Sequence, residues 1–296
     1  MPEGDTVHRQ CRVLHDALAG AELTAADLRV PGAATADLEG WRVSEVVPRG
    51  KHLMIRLLPP GSAEGQPPLT LHNHLMMDGI WHVDGRALRA SDASGGPRPA
   101  HTLRIRLAAR HPDGRTVSAS GYDVKQVRLL RTDDEHQLVG HLGPDLLDPA
   151  WSATLRDQAV QNLREHGERE IGLALLDQRV MAGLGNIYRS ELCFLQRVHP
   201  AVPVQAWIAR GGDPCSLVDL AHRLLDVNKD RSVRVTTGGL MGRDGDLWVY
   251  GRSGKPCRRC GTRIRRGEMA DPSIEGSTAR VIHTCPSCQG EPPSAR

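Results

Sequence analysis

The stretch WRVSEVVPRGKHLMIRLL, residues 41–58, decides how the amino-terminal part of this chain folds. Its second half places apolar side chains at every second position, at Leu53, Ile55 and Leu57. Alternation with a period of two is typical of strands that bury one face. The group Pro48-Arg49-Gly50 interrupts the pattern with turn-forming residues. The stretch therefore predicts two strands joined by a tight connection.

Other short strands are expected in the same part of the chain. They are predicted at residues 69–75, 79–83, 103–107 and 124–130. The segments GSAEGQPP and SDASGGPRPA between them are loops by composition. Several short strands at this spacing predict a β-sandwich or barrel of about 130 residues.

A helix is expected before the first strand. Asp5 and Thr6 are suitable helix caps, and Gly20 is a suitable stop. Between them the apolar residues have the spacing of one buried helical stripe, formed by Val7, Cys11, Leu14 and Leu18. The chain therefore begins with a helix that packs one face on the sheet.

The apolar period changes to that of helices after Gly143. Helices are predicted at residues 149–166, around Ile171, Leu175 and Leu176, at 187–196, and through Leu217, Leu220 and Leu224. A strand and turn are expected from Leu247. The predicted organisation is an α+β multidomain protein. It has an amino-terminal β-sandwich with its leading helix (1–130), a linker (131–147), a helical domain (148–235) and a cysteine-rich module (247–290).

The composition excludes several classes of protein. No stretch of about 18 apolar residues occurs, and the chain starts without a charged and then apolar signal segment, so a soluble, cytoplasmic protein with no membrane partner is expected. Aromatic residues are only 3% of the chain, too few for the stacking platforms of single-strand binders. Seven cysteines, an odd number, favour metal ligands and buried thiols over a disulfide framework. Cys11, Cys193 and Cys215 are expected in cores.

Positive charge is concentrated near the carboxyl terminus, although the formal net charge is only +3. Between Gly251 and Arg266 there are seven basic residues and no acidic one: Arg252, Lys255, Arg258, Arg259, Arg263, Arg265 and Arg266. Such a run is either a solvated face or a field that attracts phosphates. We favour the binding of a polyanion.

Four cysteines in the same region form two pairs, Cys257-x2-Cys260 and Cys285-x2-Cys288, separated by 24 residues. Two such pairs match a tetrahedral zinc site of the ribbon type. Redox or disulfide chemistry is the competing interpretation. With all four positions filled by thiolates, one Zn2+ here is expected to be structural.

Three further positions are candidates for contacts with phosphate. Arg280 lies just before the second cysteine pair, on a hairpin that zinc would hold, and is either a phosphate ligand or an ordinary surface arginine. Asn186 follows Gly183 and Gly185 where a helix restarts, so outward-facing amides or a simple helix cap are both consistent with it. Lys51 follows the turn in residues 41–58 and by itself predicts only an exposed lysine.

The strand at residues 69–75 carries His72 and His74 on one face. Two alternating histidines occur in metal sites, but without a nearby carboxylate or cysteine they are expected to be hydrogen-bonded polar residues. Met76 and Met77 follow, next to a predicted turn. Methionines at a loop tip suit an apolar wedge inserted into stacked bases.

The first residues, MPEGDTVHRQ, offer a nucleophile. Removal of Met1 exposes the secondary amine of Pro2, and an α-amine has a lower pKa than a lysine amine, so more of it is the unprotonated nucleophile. The positive end of the following helix lowers that pKa further. Glu3 then lies close enough to act as a general acid or base. The competing interpretation is a plain lead into the helix.

Six collinear segments resemble the formamidopyrimidine-DNA glycosylase/endonuclease VIII (Fpg/Nei) family of base-excision repair enzymes. They span nearly the whole chain: MPEGDT, RGKHL, HLMMDG, LGPDLL, MAGLGNIYRSE and GKPCRRC…CPSC. The resemblance implies an amino-terminal β-sandwich, a helix-two-turns-helix domain and a zinc ribbon, with damaged double-stranded DNA as the partner of a monomer.

The resemblance also implies residue roles. Pro2 is the nucleophile that attacks C1′, Glu3 assists opening of the sugar, and Schiff-base chemistry allows β- and δ-elimination. Lys51, Asn186 and Arg280 hold phosphates around the lesion. Met77, with Met76, falls where the family fills the space left by the flipped base.

The branch within the family follows from three observations. The start PEGD is similar to endonuclease VIII, and residues 121–126 (GYDVKQ) lack the arginine-phenylalanine pair of the formamidopyrimidine enzymes. Residues 236–248 are also short for a loop that covers 8-oxoguanine. We therefore expect oxidised pyrimidines as substrates. The alternatives are oxidised purines, or a zinc-ribbon DNA-binding protein without catalytic activity.

Overall fold

A computed structural model describes residues 2–61, 65–87, 98–239, 246–272 and 278–293. The chain divides into two compact units. Unit 1 comprises Met1–His141 with Lys229–Ser232, and unit 2 comprises Leu142–Asn228 with Val233–Arg296. The division into a sandwich, a linker, a helical domain and a ribbon at the boundaries given above stays a prediction.

The first element of unit 1 is helix α1 (Gly4–Leu18). Its predicted stripe of Val7, Cys11, Leu14 and Leu18 is fully buried, and the chain leaves the helix through Gly20 at φ 80°. The helix begins earlier than expected, because Glu3 and not Asp5 is the N-cap residue. Asp5 lies in the first turn, where its Oδ1 accepts a hydrogen bond from the Thr6 amide at 2.7 Å.

The strands of unit 1 form one antiparallel sheet. They are β1 (Glu22–Leu28), β2 (Arg42–Arg49), β3 (His52–Leu58), β4 (Leu69–His74), β5 (Ile80–Val83), β6 (Arg86–Ala87), β7 (Leu103–Arg110), β8 (Thr116–Tyr122) and β9 (Lys125–Arg131). Their order across the sheet is β6-β5-β8-β7-β1-β2-β3-β4-β9. The hairpin predicted within residues 41–58 is confirmed as β2 and β3, which pair from Arg42↔Leu58 to Arg49↔His52.

The sheet folds back on itself into the expected sandwich. Trp81 on β5 donates its indole N–H to Asn73 Oδ1 on β4 at 3.2 Å, although five strands separate β5 from β4 in the sheet order. The backbone amide of Trp81 also donates to Gln10 Oε1 on α1 at 3.1 Å. Since all three side chains are fully buried, these bonds join both halves of the sheet and the helix across one core.

Three of the strands, β1, β6 and β8, were not expected from the sequence. β1 carries a bulge between Leu23 and Ala25, which breaks its alternation. β8 buries the small residues Ala119 and Gly121 in place of large apolar ones. Small residues are needed there, because a Cβ at Gly121 would lie 3.2 Å from the ring of Trp81.

Unit 2 is largely helical. Its helices are α3 (Ala153–Glu165), α4 (Ile171–Ala174), α5 (Asn186–Leu195), α6 (Val204–Ala209), α7 (Pro214–Asn228) and α8 (Pro286–Gln289), while the short α2 (His136–Val139) belongs to unit 1. The four predicted helical segments are confirmed as α3, α4, α5 and α7, and α6 and α8 are additional. Cys193 is fully buried like Cys11, whereas Cys215 is only half-buried.

The cysteine-rich module of unit 2 contains one hairpin, β10 (Arg265–Met269) and β11 (Arg280–Thr284). The expectation of a strand from Leu247 is wrong, because residues 246–250 form bends and turns. Three expectations fall partly outside the described residues: the loops at 61–68 and 91–100, the segment 236–248 and the loose end EPPSAR. Among the described helices, none has the length and hydropathy needed to cross a bilayer.

Candidate functional site

Pro2 and Glu3 lie at the start of α1, in unit 1. Both residues are buried, and Glu3 has no exposed surface. The extended backbone of Glu3 (φ −126°, ψ −176°) lets its carbonyl accept the first helical hydrogen bond, from the Val7 amide at 3.0 Å. Its carboxylate does not cap the helix. The backbone of Glu3 therefore takes part in the first turn of α1, while its carboxylate makes no hydrogen bond to the helix end.

Lys51 occupies the second position of the two-residue connection between β2 and β3. Gly50 precedes it at φ 57°, and glycine at the first position with positive φ is the pattern of a type II′ hairpin turn. Such a turn fits the twist of the flanking strands, so Lys51 projects from a rigid hairpin. It is half-buried, beyond what an ordinary exposed lysine shows.

Three histidines surround the base of this hairpin. His52 pairs with His74 across β3 and β4, and its Nδ1 lies 2.8 Å from His72 Nε2. The His52 and His74 rings meet edge to face, with centroids 5.3 Å apart. The expectation that His72 and His74 are hydrogen-bonded polar residues is therefore confirmed for both, because His74 Nδ1 also accepts the Met76 amide at 2.9 Å.

The two methionines lie on the tight loop that follows β4. Met76 and Met77 are 44% and 55% exposed, as expected for residues that could enter a base stack. Met76 has φ 49°, and its amide is held by His74. The Gly79 amide donates to the Leu75 carbonyl at 2.8 Å, and a Cβ at Gly79 would lie 2.4 Å from that oxygen. Glycine is therefore required to close the loop that presents the methionines.

The histidine cluster is uncharged at neutral pH. Burial lowers the pKa of His52 to about 3, assisted by the neighbouring His72, His74, His141 and Lys51. Burial likewise lowers the pKa of His72 and of His74 to about 4. Hydrogen bonding agrees with these shifts, since a nitrogen that accepts a hydrogen bond cannot also carry a proton. The cluster therefore supports Lys51 without adding a second positive charge.

In unit 2, Asn186 begins α5 and lies against the cysteine-rich hairpin. It is 3% exposed, and its Nδ2 donates to the Val281 carbonyl at 2.8 Å. The expectation that the Asn186 side chain points outward is therefore wrong, and Asn186 is not the helix cap either, because the N-cap residue of α5 is Gly185. Arg189, one turn later and fully buried, donates to the same carbonyl at 2.9 Å and to Asn186 Oδ1. The sequence signal for this contact was the i,i+3 spacing of Asn186 and Arg189.

Arg280 is the residue next to Val281, so the structure brings two of the predicted phosphate ligands together in unit 2. Arg280 is exposed at the start of β11, and its side chain makes no hydrogen bond or ion pair within the described part of the chain. Asn186 and Arg189 fix the backbone beside it. A guanidinium on such a fixed support suits the grip of a single phosphate.

The four cysteines converge as predicted. The Sγ atoms of Cys257, Cys260, Cys285 and Cys288 all lie within 4.8 Å of one another. Thiolates bound at about 2.3 Å to a tetrahedral metal lie about 3.8 Å apart, so the cluster fits such an ion. Around it, the Cys285 amide donates to Gln289 Oε1 at 2.8 Å, which fixes the second pair.

Most residues of the basic run at 251–266 make contacts within unit 2. Arg252, Arg258 and Arg263 donate to backbone carbonyls within the module. Arg259 lies over the ring of Phe194 with 4.3 Å from its Cζ to the centroid. Arg265 and Arg266 pair with carboxylates, those of Glu291 and Glu268. Most of these cations therefore hold the small module together, and the polyanion-binding role stays a prediction.

Comparison with known proteins agrees with this architecture. Residues 1–122 match the model of the formamidopyrimidine-DNA glycosylase N-terminal domain, and residues 142–207 match that of its H2TH domain. "Probable endonuclease 8 2" of Streptomyces coelicolor is 48% identical over 99% of this chain and 95% of its own. "DNA-(apurinic or apyrimidinic site) lyase Nei2" of Mycolicibacterium smegmatis is 40% identical over 98% of this chain and 99% of its own.

A solved structure shares the fold. The Lactococcus lactis Fpg, in complex with DNA containing an abasic site, superposes with a TM-score of 0.70 over 98% of this chain and 100% of that chain at 23% identity. A β-sandwich, an H2TH domain and a four-cysteine module define a bifunctional DNA glycosylase/AP lyase of base excision repair. This chain belongs to the formamidopyrimidine-DNA glycosylase/endonuclease VIII family, with relatives of the endonuclease VIII type.

The histidine cluster predicts how stability depends on pH. The folded pKa values lie below the ordinary value of about 6.5, so the unfolded chain binds more protons between about pH 6.5 and 4. The free energy of unfolding should therefore fall as the pH falls through this window. For His72, which is 1% exposed, the loss is about 2 to 3 kcal/mol.

The substitution His72→Gln should reduce this dependence by about one histidine, measured by urea unfolding between pH 7 and 4.5. His101→Gln, at an exposed histidine of the same unit, is the matched control and should leave the slope unchanged. An equal slope for His72→Gln and the unmodified protein would contradict the assignment of the cluster.

Proposed function

We propose that this protein excises oxidised pyrimidines from damaged double-stranded DNA through a Schiff base on Pro2 and then cuts the strand by β- and δ-elimination. The observation that carries the proposal is the buried Pro2-Glu3 pair at the start of α1, in a chain of this family. A protein that only binds DNA has no chemical use for such an amine. The proposal includes action as a cytoplasmic, nucleoid-associated monomer.

In the proposed reaction the Pro2 nitrogen, freed by removal of Met1, bonds to C1′ of the damaged nucleotide. The bond from C1′ to the base breaks, and the base leaves with that electron pair and takes up the proton that the Pro2 nitrogen loses. Glu3 donates a proton to the ring oxygen, which opens the sugar and leaves an iminium between Pro2 and C1′. Loss of a proton from C2′ expels the 3′ phosphate, and a second elimination expels the 5′ phosphate.

Lys51 and Arg280 are proposed to hold phosphates next to the lesion, and Asn186 to contribute through the turn that it begins. Lys51 is supported by its rigid hairpin, and Arg280 by the fixed backbone at Val281. Met76 and Met77 are proposed to fill the space that the flipped nucleotide leaves. Their exposure on a loop closed by Gly79 supports this role.

The metal proposed for the four-cysteine cluster is one structural Zn2+. Four thiolates are the donor set of structural zinc, and a filled tetrahedron leaves no position for an activated water. The module shares a small core with α5, made of Phe194 on that helix and Val249, Cys257, Ile264 and Cys285 of the module. So few apolar residues give little stability, which favours a metal as the main stabilising contact.

The preference for pyrimidines rests on the start of β9. Where the purine enzymes of the family carry an arginine-phenylalanine pair, this chain has Lys125 and Gln126, which are exposed, followed by Val127. No aromatic ring is therefore available at these positions to contact the opposite base. Relatives named endonuclease 8 and Nei2 at 40% to 48% identity support the same branch.

Blocking the amine should abolish the covalent intermediate. A form with a non-cleavable extension before Pro2 has an amide nitrogen there, which cannot form an iminium, so borohydride should trap no adduct with abasic DNA. Glu3→Gln keeps the amine and should lower base excision at least about 100-fold while abasic DNA can still be trapped. Normal trapping by the extended form would refute the role of Pro2.

A panel of duplexes with single lesions tests the substrate class. Thymine glycol and dihydrouracil should be excised faster than 8-oxoguanine and formamidopyrimidines, as measured by single-turnover rates. The reverse order would establish the oxidised-purine alternative instead. Binding of all duplexes without strand cleavage, even at an abasic site, would favour the non-catalytic alternative.

Metal analysis tests the zinc site. The purified protein should contain about one zinc per chain, and Cys260→Ser should lower this content and weaken binding to abasic-analogue DNA, because the hairpin that bears Arg280 loses its support. Cys215→Ser, at a half-buried thiol outside the cluster, is the control and should keep the metal. Full zinc content in Cys260→Ser would contradict the ligand assignment.

A further inference from the structure

A chain of largely buried charges in unit 2 links the segment between α3 and α4 to Asp271, two residues after β10. Arg169 lies between α3 and α4, and its side chain is 20% exposed. One end of its guanidinium, Nη1, donates to Asp177 Oδ2 at 2.6 Å. The other end, Nη2, donates to Asp271 Oδ2, and the Asp271 side chain is 10% exposed. Arg169 therefore bridges two carboxylates that are far apart in sequence.

Asp177 is a fixed anchor for this bridge. Its side chain is 7% exposed, and it accepts the Arg179 amide at 3.0 Å and the Arg179 guanidinium at 2.7 Å. Despite burial, these bonds and Arg169 hold the pKa of its carboxyl well below the usual value, so Asp177 stays charged. A planar guanidinium held at one end by a permanent anion has its other end aimed in a set direction.

That direction leads to the end of the hairpin that carries Arg280. Met269, the last residue of β10, pairs with Arg280, the first residue of β11. Asp271 comes two residues after Met269, at the point where the hairpin leaves its paired region. Arg169 therefore holds the β10 side of the hairpin, while Asn186 and Arg189 hold the β11 side at Val281.

Packing beside the bridge supports the same attachment. A Cβ at Gly172 on α4 would lie 3.2 Å from the sulfur of Met269 and 2.7 Å from Pro200 Cβ. The absence of a side chain at Gly172 thus lets β10 approach the helix closely. With this contact, the backbone on both strands next to Arg280 is fixed to the helical part of unit 2.

The anchor segment also supports the other predicted phosphate contact. Gln178, next to Asp177, accepts the Gly183 amide at 3.1 Å and donates to the Leu184 carbonyl at 3.1 Å. These bonds shape the turn that leads into Asn186. One short segment, Asp177-Gln178, is therefore tied to the turn before Asn186 and, through Arg169, to the hairpin of Arg280.

We propose that Arg169 and Asp271 are positioning residues that hold Arg280 where it contacts a DNA phosphate. The proposal rests on the phosphate role of Arg280 given above. Arg280 is exposed and has a long side chain, so its reach is set by the backbone at the end of the hairpin. Without the ion pair this end gains freedom, and that freedom must be lost again each time DNA binds.

Asp271→Asn gives the sharpest test, because the expected effect is opposite to that of net charge. Removal of a negative charge strengthens the general attraction of a protein for DNA. If Asp271 positions Arg280, Asp271→Asn should instead weaken binding to a duplex with a tetrahydrofuran abasic analogue, by about 3- to 10-fold, with zinc content unchanged. The matched control Glu268→Gln removes a carboxylate from the same hairpin without touching Arg169 and should not weaken binding.

A double-mutant cycle separates positioning from a merely structural role. Arg280→Ala should weaken binding and reduce the slope of log Kd against log salt by about 0.9, the value for one phosphate contact. In the Arg280→Ala background, Asp271→Asn should then have no further effect on affinity. Arg169→Gln should behave like Asp271→Asn in the same cycle, as a second route to the same result.

Each possible outcome either supports or contradicts the positioning role of Arg169 and Asp271. Equal losses from Asp271→Asn with and without Arg280 would mean that the ion pair only stabilises the fold, and unchanged or tighter binding by Asp271→Asn would also overturn the proposal. If Arg280→Ala leaves affinity unchanged, the positioning role falls together with the phosphate role of Arg280. Borohydride trapping by the same preparations reports on Pro2 separately. Loss of the Arg280 role can therefore be distinguished from failure of the proposed Schiff-base chemistry.

Discussion

The Val281 carbonyl is the point on which the arrangement of unit 2 depends. Two buried donors on α5, the Asn186 amide and the Arg189 guanidinium, converge on this one oxygen. A guanidinium with no exposed surface is costly to bury, and leaving it without acceptors would cost several kcal/mol more. The hairpin must therefore lie where its carbonyl meets these donors. Specificity of position, more than net stability, follows from such a buried polar contact.

A second buried polar group, the carboxylate of Glu191, binds the segment that leads into the cysteine-rich module. Glu191, also on α5, accepts the amides of Val249 and Tyr250 at 2.9 Å and that of Trp248 at 2.8 Å. Three backbone donors on one carboxylate hold residues 248–250 in a bend, which is why the strand expected from Leu247 does not form. One helix thus places both the entry to the module and the hairpin within it.

Prediction from sequence succeeded where one side-chain pattern determined the structure. The alternation in residues 41–58 specified β2 and β3, and the spacing of the cysteine pairs specified the thiolate cluster. Prediction failed where the structure depends on contacts with residues that are distant in sequence. β8 is a strand because its small residues fit beneath Trp81, and no local pattern contains that information. Likewise, the basic residues at 252–266 could not be assigned without knowing which carbonyls and carboxylates lie near them.

The two units support their candidate phosphate ligands by different electrostatic means. Around Lys51, the imidazoles of His52 and His74 are half-buried and neutral, so they do not repel the ammonium group. Around Arg280, support comes from charged pairs, of which Arg169 with Asp177 and Asp271 is the most enclosed. Salt has little effect on a neutral network because it carries no charge. Salt also screens buried ion pairs only weakly, because water is excluded from them. In both cases the support keeps its geometry over the range of ionic strength in which contacts with phosphate themselves weaken, so the salt dependence of DNA binding should reflect phosphate contacts and not the scaffold.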